Sequence, residues 1–282
     1  MARKVTLRAQ WLGKILKDQR DTNALTLKEA AEYLQRDASQ LSRFEAGSLP
    51  IRRGDVLALM DLYGISDPPT REILIRLTED VAQTGWWEPI TKDLSSGIAD
   101  YMWLESRAER IRSFDVMRVN GLLQTAGYAE AWIRAVEHDA TDKQISDWVA
   151  MRLKRQEVLH GDESASLLTV LDESALRIPV GGAAVMRDQL SHLLAERERP
   201  NVDVRVLPYT AGAHPSPDGG YILIKMADPF PEIAYADGPA GSLYLETTDA
   251  ERLIDRYARL EALALSESKS VELIASALKD MR

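Results

Sequence analysis

Apolar residues between positions 8 and 81 recur at helical spacing, in short stretches parted by polar or glycine-containing turns. Trp11, Leu12, Ile15 and Leu16 fall on one face of a first helix. Thr26 with Glu29 three residues later predicts a capping box, which opens a second helix carrying Ala30, Ala31 and Leu34 inward. Asp37 is placed to cap a third helix over residues 38–46. In that helix Leu41 and Phe44 turn inward, leaving Ser39, Gln40, Ser42 and Arg43 outside, and Gly47 supplies the stop. Residues 55–64 predict a further amphipathic helix closed by Gly64. Pro69 suits the first turn of another, striped by Ile73, Leu74, Leu77 and Val81 and ended by Gly85. Trp86, Trp87 and the stretch to Gly97 then predict a loop, with the tryptophans expected to pack between domains. The expected division is a head over residues 1–84 and a body over 85–282.

The body begins with a helical pattern, predicting helices over 98–110, 125–137 and 141–160. Strands are predicted at 167–171, 202–207, 221–226, 233–236 and 243–245, with a helix over 183–198 between the first two. Thr248 and Glu251 predict a second capping box, opening a helix striped by Leu253, Ile254, Tyr257 and Leu260, and a last helix covers 270–279. The fold class that follows is a mainly α head joined to an α+β body, one small sheet covered by helices.

Two short helices joined by a tight turn, the second with small and polar residues at its start and an arginine one turn later, suit the DNA major groove. Residues 8–65 resemble an XRE-type helix-turn-helix domain, the lambda-repressor-like fold, through Thr26, Ala30, Ala31, Leu34, Ser42, Arg43 and Glu45. The resemblance implies a structural ion pair between Arg20 and Glu45, and base contacts from Ala38, Ser39, Gln40 and Arg43. Three positions depart from the pattern: Leu27 replaces a DNA-facing glutamine, Gln35 the turn glycine and Arg36 a turn hydrophobe. Gln35 is therefore expected at positive φ, at a cost of about 1 kcal/mol. The expected DNA-binding set is Thr26, Lys28, Arg36, Ala38, Ser39, Gln40, Ser42, Arg43, Arg52 and Arg53, with Lys28, Arg36, Arg52 and Arg53 directed at phosphates.

Net charge sharpens this picture. The 282-residue chain carries −9 overall, yet residues 1–60 hold 11 Lys/Arg against 7 Asp/Glu and the remainder 24 against 37. A weakly basic head on an acidic body directs double-stranded DNA to one end of the chain. Absence of cysteine excludes disulfides and thiolate chemistry and suits a reducing cytoplasm. No apolar run reaches the length that spans a bilayer, so a cytoplasmic protein without membrane attachment is expected.

The body also carries a resemblance, from Trp86 to Met281. The ordered motifs NGLLQT (120–125) with Tyr128-Ala129, MRLKRQ (151–156), LDESALR (171–177), PVGG (179–182) with Gln189-Leu190, VRVLP (204–208), Ala211-Gly212 with His214, and ALSESKS (264–270) carry it. They are similar to a domain of unknown function that follows helix-turn-helix heads in actinobacterial regulators, the WhiJ-like family. Asn120 stands where that family usually has proline. The resemblance implies a transcriptional regulator, with a small protein from an adjacent gene as a partner in an antitoxin-like arrangement. Neither a metal nor an organic cofactor is expected. His138, His160, His192 and His214 lack ligand spacing, and His214, Ser216 and Asp218 crowd one Pro/Gly loop, unlike a triad converging from separate elements. Gly181-Gly182 reads as a turn, and Asp172-Glu173 with Arg177 as a salt-bridged surface.

The expectation is a non-enzymatic, sequence-specific regulator that forms a homodimer and whose body receives a signal from an effector or a small partner protein. The alternative is an antitoxin-like interaction protein that sequesters that partner and binds DNA only for autoregulation.

Overall fold

The computed structural model describes residues 5–82, 85–87, 90, 97–228, 230–238 and 241–281, in two units, Met1–Glu88 and Pro89–Arg282. Most of the loop expected between Trp86 and Gly97 lies outside the described residues.

The first unit is built from helices α1 (Leu7–Thr22), α2 (Leu27–Tyr33), α3 (Ala38–Glu45), α4 (Arg53–Leu62) and α5 (Pro68–Ala82). Four of the five starts are capped by a side chain, α4 being the exception. Thr6 accepts from the Ala9 amide, Thr26 and Glu29 form the expected capping box, Asp37 accepts from the Gln40 amide, and Asp67 accepts from the Thr70 amide. Gly47 and Gly64 end α3 and α4 at φ of 67° and 69°. Helix α1 packs on α3 and α5, α2 on α3 and α4, and α4 on α5. Trp11, Leu12, Leu16, Leu41, Phe44, Val56, Leu59 and Met60 fill the space between them.

In the second unit α6 (Ile98–Ser106) leads into strand β1 (Ala108–Asp115). The helix expected to run to residue 110 therefore ends early. Its C-terminal part belongs to the sheet, where Glu109, Arg110 and Arg112 obscure the strand pattern. A 3-10 turn (Gly121–Leu123), α7 (Ala126–Val136), α8 (Asp142–Arg155) and a second 3-10 turn (Gln156–Leu159) lead to β2 (Ser166–Asp172). Short α9 (Ser174–Arg177) and α10 (Gly182–Glu196) lead to β3 (Val202–Leu207). Strands β4 (Tyr221–Met226), β5 (Ile233–Gly238) and β6 (Gly241–Leu245) follow as a meander, and α11 (Thr247–Leu263) and α12 (Glu267–Asp280) close the unit.

The six strands form one mixed sheet in the order β3-β2-β1-β4-β5-β6. Helical crossovers make β1, β2 and β3 parallel, whereas β4, β5 and β6 run antiparallel to their neighbours. This is the α+β architecture that the pattern predicted. One face carries Phe114, Val170, Leu223 and Ala234, and packs against Ala250, Tyr257 and Leu260 of α11. The Tyr257 hydroxyl donates to the Leu168 carbonyl at 2.9 Å, so its polar end is satisfied inside. Side chains alternate across the strand, placing Ile111, Ser113 and Asp115 of β1 on the opposite face.

The expected Thr248–Glu251 capping box does not form. Helix α11 starts two residues earlier, with Glu246 at the N-cap making no side-chain capping bond, and Thr247 takes the left-handed φ of 53° at the strand-to-helix corner. Thr248 is thereby already inside the first turn.

Candidate DNA-binding surface

Helix α3 is amphipathic over eight residues, and its inner side is anchored at three points. Leu41 and Phe44 are buried, and Glu45 accepts from Arg20 Nε at 2.7 Å and Nη2 at 3.0 Å. Arg20 also donates to the Leu25 carbonyl at 2.8 Å and meets Asp21 at 2.6 Å. The side chains of Arg20 and Glu45 are both under a tenth exposed, so the pair is a buried fork between α1 and the end of α3. The Glu45 hydrogen bond raises the Arg20 pKa above its ordinary value. This is the pairing that the resemblance implied.

Glycine makes the same junction tight. A Cβ on Gly13 would lie 2.3 Å from the Glu45 carbonyl oxygen and 2.7 Å from that of Phe44. Only a residue without a side chain lets α1 approach the C-terminal turn of α3 so closely. Gly13 was absent from the expected site, although a glycine inside an amphipathic helix is itself a sign of close backbone approach.

The outer side of α3 is open. Ala38, Ser39, Ser42 and Arg43 are exposed and Gln40 is half-buried. Ser39 Oγ donates to Asp37 Oδ1 at 2.5 Å and the Gln40 amide donates to the same oxygen at 2.7 Å. Those two bonds, the Ser39 one foremost, hold the Asp37 carboxyl below its ordinary value. Gln35 adopts φ of 54° in the turn before α3, as expected for a residue in the place of a glycine. The Arg36 amide then closes the turn on the Ala31 carbonyl at 2.9 Å.

The cations expected at phosphates fall into two groups. Lys28, Arg52 and Arg53 are exposed, with Lys28 3.8 Å from Glu32 and Arg53 3.6 Å from Glu79. Arg36 is half-buried and engages both Asp55 oxygens, the nearer at 3.2 Å, tying the turn to α4. Thr26 is exposed, and its hydroxyl donates to Glu29 Oε2 at 2.7 Å within the capping box.

The other candidate chemistry resolves into structure. Ser216 Oγ donates to the Gly219 carbonyl, and the Ser216 amide donates to His214 Nδ1, so the hydroxyl is not presented to the imidazole. Gly181 and Gly182 form a left-handed turn at the start of α10, and the Gly182 amide is already bonded to the Pro179 carbonyl. Arg177 pairs with Glu173 at 3.1 Å and with Asp280 at 3.0 Å. Among the described residues no helix is long and apolar enough to cross a membrane.

Comparison with known families matches residues 11–73 to a helix-turn-helix domain and residues 98–276 to a domain of unknown function, DUF5753. No curated protein and no solved structure matches the chain.

Proposed function

From a chain that belongs to the DUF5753 family and carries a helix-turn-helix domain at its N-terminal end, we propose a non-enzymatic, sequence-specific transcriptional regulator. The observation that carries this reading is the two-sidedness of α3. Its inner side is locked by Leu41, Phe44 and the Glu45–Arg20 fork, while Ser39, Ser42 and Arg43 stand exposed on the outer side. A helix held rigidly from behind presents its outer side chains to a groove at little further entropic cost. Arg43 has the forked donor geometry that recognises guanine, and Ala38, Ser39, Gln40 and Ser42 supply smaller base-edge and phosphate contacts. Thr26, Lys28, Arg52 and Arg53 are assigned to phosphates. Arg36 ranks below them because Asp55 already engages it.

A single head of this size buries little DNA, so two heads about 34 Å apart on a homodimer are part of the proposal. The DUF5753 body is assigned the dimer contact and the reception of a signal. A small partner protein rests on the resemblance of the body motifs alone.

The test starts from fragments selected out of genomic DNA by the full-length protein. Arg43→Ala is expected to weaken binding to the selected site by about 1–3 kcal/mol and to relax preference at one base pair. Unchanged affinity and unchanged preference would refute the assignment of α3.

A further inference from the structure

The body contains a polar cleft of about 80 Å³ beside the C-terminal end of β1, lined among others by Asp115, Arg118, Asn120, Gln124, Arg152 and Arg155. Three guanidinium groups thus meet in one concavity of a unit whose sequence is strongly acidic. Arg152 and Arg155 come from one face of α8, three residues apart, and Arg118 comes from the segment following β1.

The three cations are not equally compensated. Arg155 donates through Nε and Nη2 to Glu105, at 2.7 and 2.8 Å, and Nη2 also donates to the Tyr101 hydroxyl at 3.1 Å. Burial is the largest single influence and works against that charge, but Glu105, Tyr101 and Tyr235 together outweigh it and the Arg155 pKa is raised. Arg118 lies over the Trp132 ring at 5.8 Å and interacts electrostatically with Asp115. Asp115 is itself committed: its Oδ2 accepts from Ser113 at 2.5 Å, Thr169 at 3.1 Å and Asn120 at 3.2 Å.

Arg152 differs from both. Among the described residues its one hydrogen bond goes to Gln124 Oε1, a neutral acceptor at 2.7 Å, and no carboxylate lies within ion-pair distance. The Gln124 amide is fixed in turn, since Nε2 donates to the Val119 carbonyl at 2.7 Å. Burial first, and then Arg155 and Arg118, push the Arg152 pKa down to about 10. A guanidinium keeps its proton at neutral pH, so Arg152 holds a buried positive charge with no carboxylate in direct contact, while Asp115 and Asp237 elsewhere in the lining and Glu105 on Arg155 stand further off. Such a charge is costly when nothing occupies the cleft, and an anion that settles there recovers the cost.

We propose that this cleft binds the anionic group of a small molecule, a carboxylate or a phosphate, with Arg152 as its principal ligand and Arg118 as the second. A volume near 80 Å³ suits such a group. Gln124 aims Arg152, and the Glu105–Arg155–Tyr101 cluster forms a rigid wall behind it. The NGLLQT and MRLKRQ motifs supply Asn120, Gln124, Arg152 and Arg155, which gives those stretches a shared purpose. The site gives a chemical class to the signal assigned above and leans on the regulator reading only for its consequence at DNA.

The test needs no DNA, so its failure and that of the regulator reading are separable. Full-length protein is titrated with inorganic phosphate or with succinate at constant ionic strength, followed by calorimetry and thermal melting, with succinamide as the neutral control. Wild type is expected to show saturable binding and a higher melting temperature with one or both anions and no response to succinamide. The anion that binds distinguishes a phosphoryl from a carboxylate ligand. Arg152→Gln is expected to weaken binding at least tenfold, and to melt above wild type when no anion is added, because a buried charge without a carboxylate in contact is gone. Arg152→Lys is expected to retain part of the response. Arg118→Gln, expected to weaken binding as well, provides the same readout should Arg152→Gln fail to fold. No saturable response to either anion in wild type, or full binding by the glutamine variants, would overturn the proposal.

Discussion

Two glycines in the head make a matched experiment on whether packing or helix propensity dominates. Gly13 lies within α1 and Gly54 in the first turn of α4, both in helical backbone. Alanine is the better helix former at either position, by about 0.5–1 kcal/mol. At Gly54 a Cβ would meet nothing within 4 Å, so Gly54→Ala is expected to stabilise the head by that amount. At Gly13 the same Cβ would sit 2.3 Å from the Glu45 carbonyl oxygen, far inside contact distance and against backbone that cannot rotate away. Overpacking of this kind costs typically about 1–3 kcal/mol, and a backbone clash belongs at the upper end. Subtracting the propensity gain leaves Gly13→Ala destabilised by about 2 kcal/mol. Amide hydrogen exchange on the full-length protein, read by mass spectrometry over α1 and α3, measures both effects locally. Protection is expected to fall about 30-fold in Gly13→Ala and to rise about two- to fivefold in Gly54→Ala. Equal gains in the two variants would refute the close approach of α1 to the end of α3. The same displacement moves the base of α3, so under the proposed function Gly13→Ala is also expected to weaken DNA binding without altering any residue assigned to DNA.

Glu45→Leu strands the buried Arg20 guanidinium, which retains only the Leu25 carbonyl and Asp21. A loss of roughly 3 kcal/mol is expected, at the low end for breaking a buried pair, and Arg20→Met/Glu45→Leu is expected to recover most of it. A double variant no more stable than the single one, by urea denaturation, would contradict this account of the fork. Asp115 is held by burial with its pKa above the ordinary 3.8, against the opposing hydrogen bond from Ser113. A carboxyl raised in the folded state favours folding below its unfolded pKa, and that contribution is lost as pH rises through its folded pKa. Asp115→Asn is therefore expected to gain stability relative to wild type as pH rises from about 3 past 4. A difference between the two melting curves that stays constant with pH would contradict the burial argument.

The legible parts of this chain are those where local chemistry and tertiary packing agree. Thr26 with Glu29, Asp37 before Leu41 and Phe44, and Gly47 and Gly64 at helix ends all act within one or two turns, and the structure uses each as the residue pattern indicates. Strand β1 was hidden because a central strand is ordinarily an apolar run, whereas this one carries Glu109, Arg110, Arg112, Ser113 and Asp115. Ser113 and Asp115 are buried for a polar network with Thr169 and Asn120, and no periodicity reports that. The cleft was hidden for a related reason. Arg152 and Arg155 on a helix read as a solvated face, and only the fold shows that Gln124 and Glu105 meet them from distant stretches of chain. Thr248 failed as a cap because the corner after β6 needed a left-handed residue, which shifted the helix start.

The two ends of the sheet have different fates. Along the outer side of β3, the Val206 amide donates to Ser270 Oγ and its carbonyl accepts from the Leu265 amide, while the Val202 amide is taken by Arg199. The join between the last two helices thus closes that border from within, and β6 is the terminal strand opposite. A foreign strand is therefore denied the backbone groups at Val206 and the amide of Val202 that it would need to extend the sheet past β3.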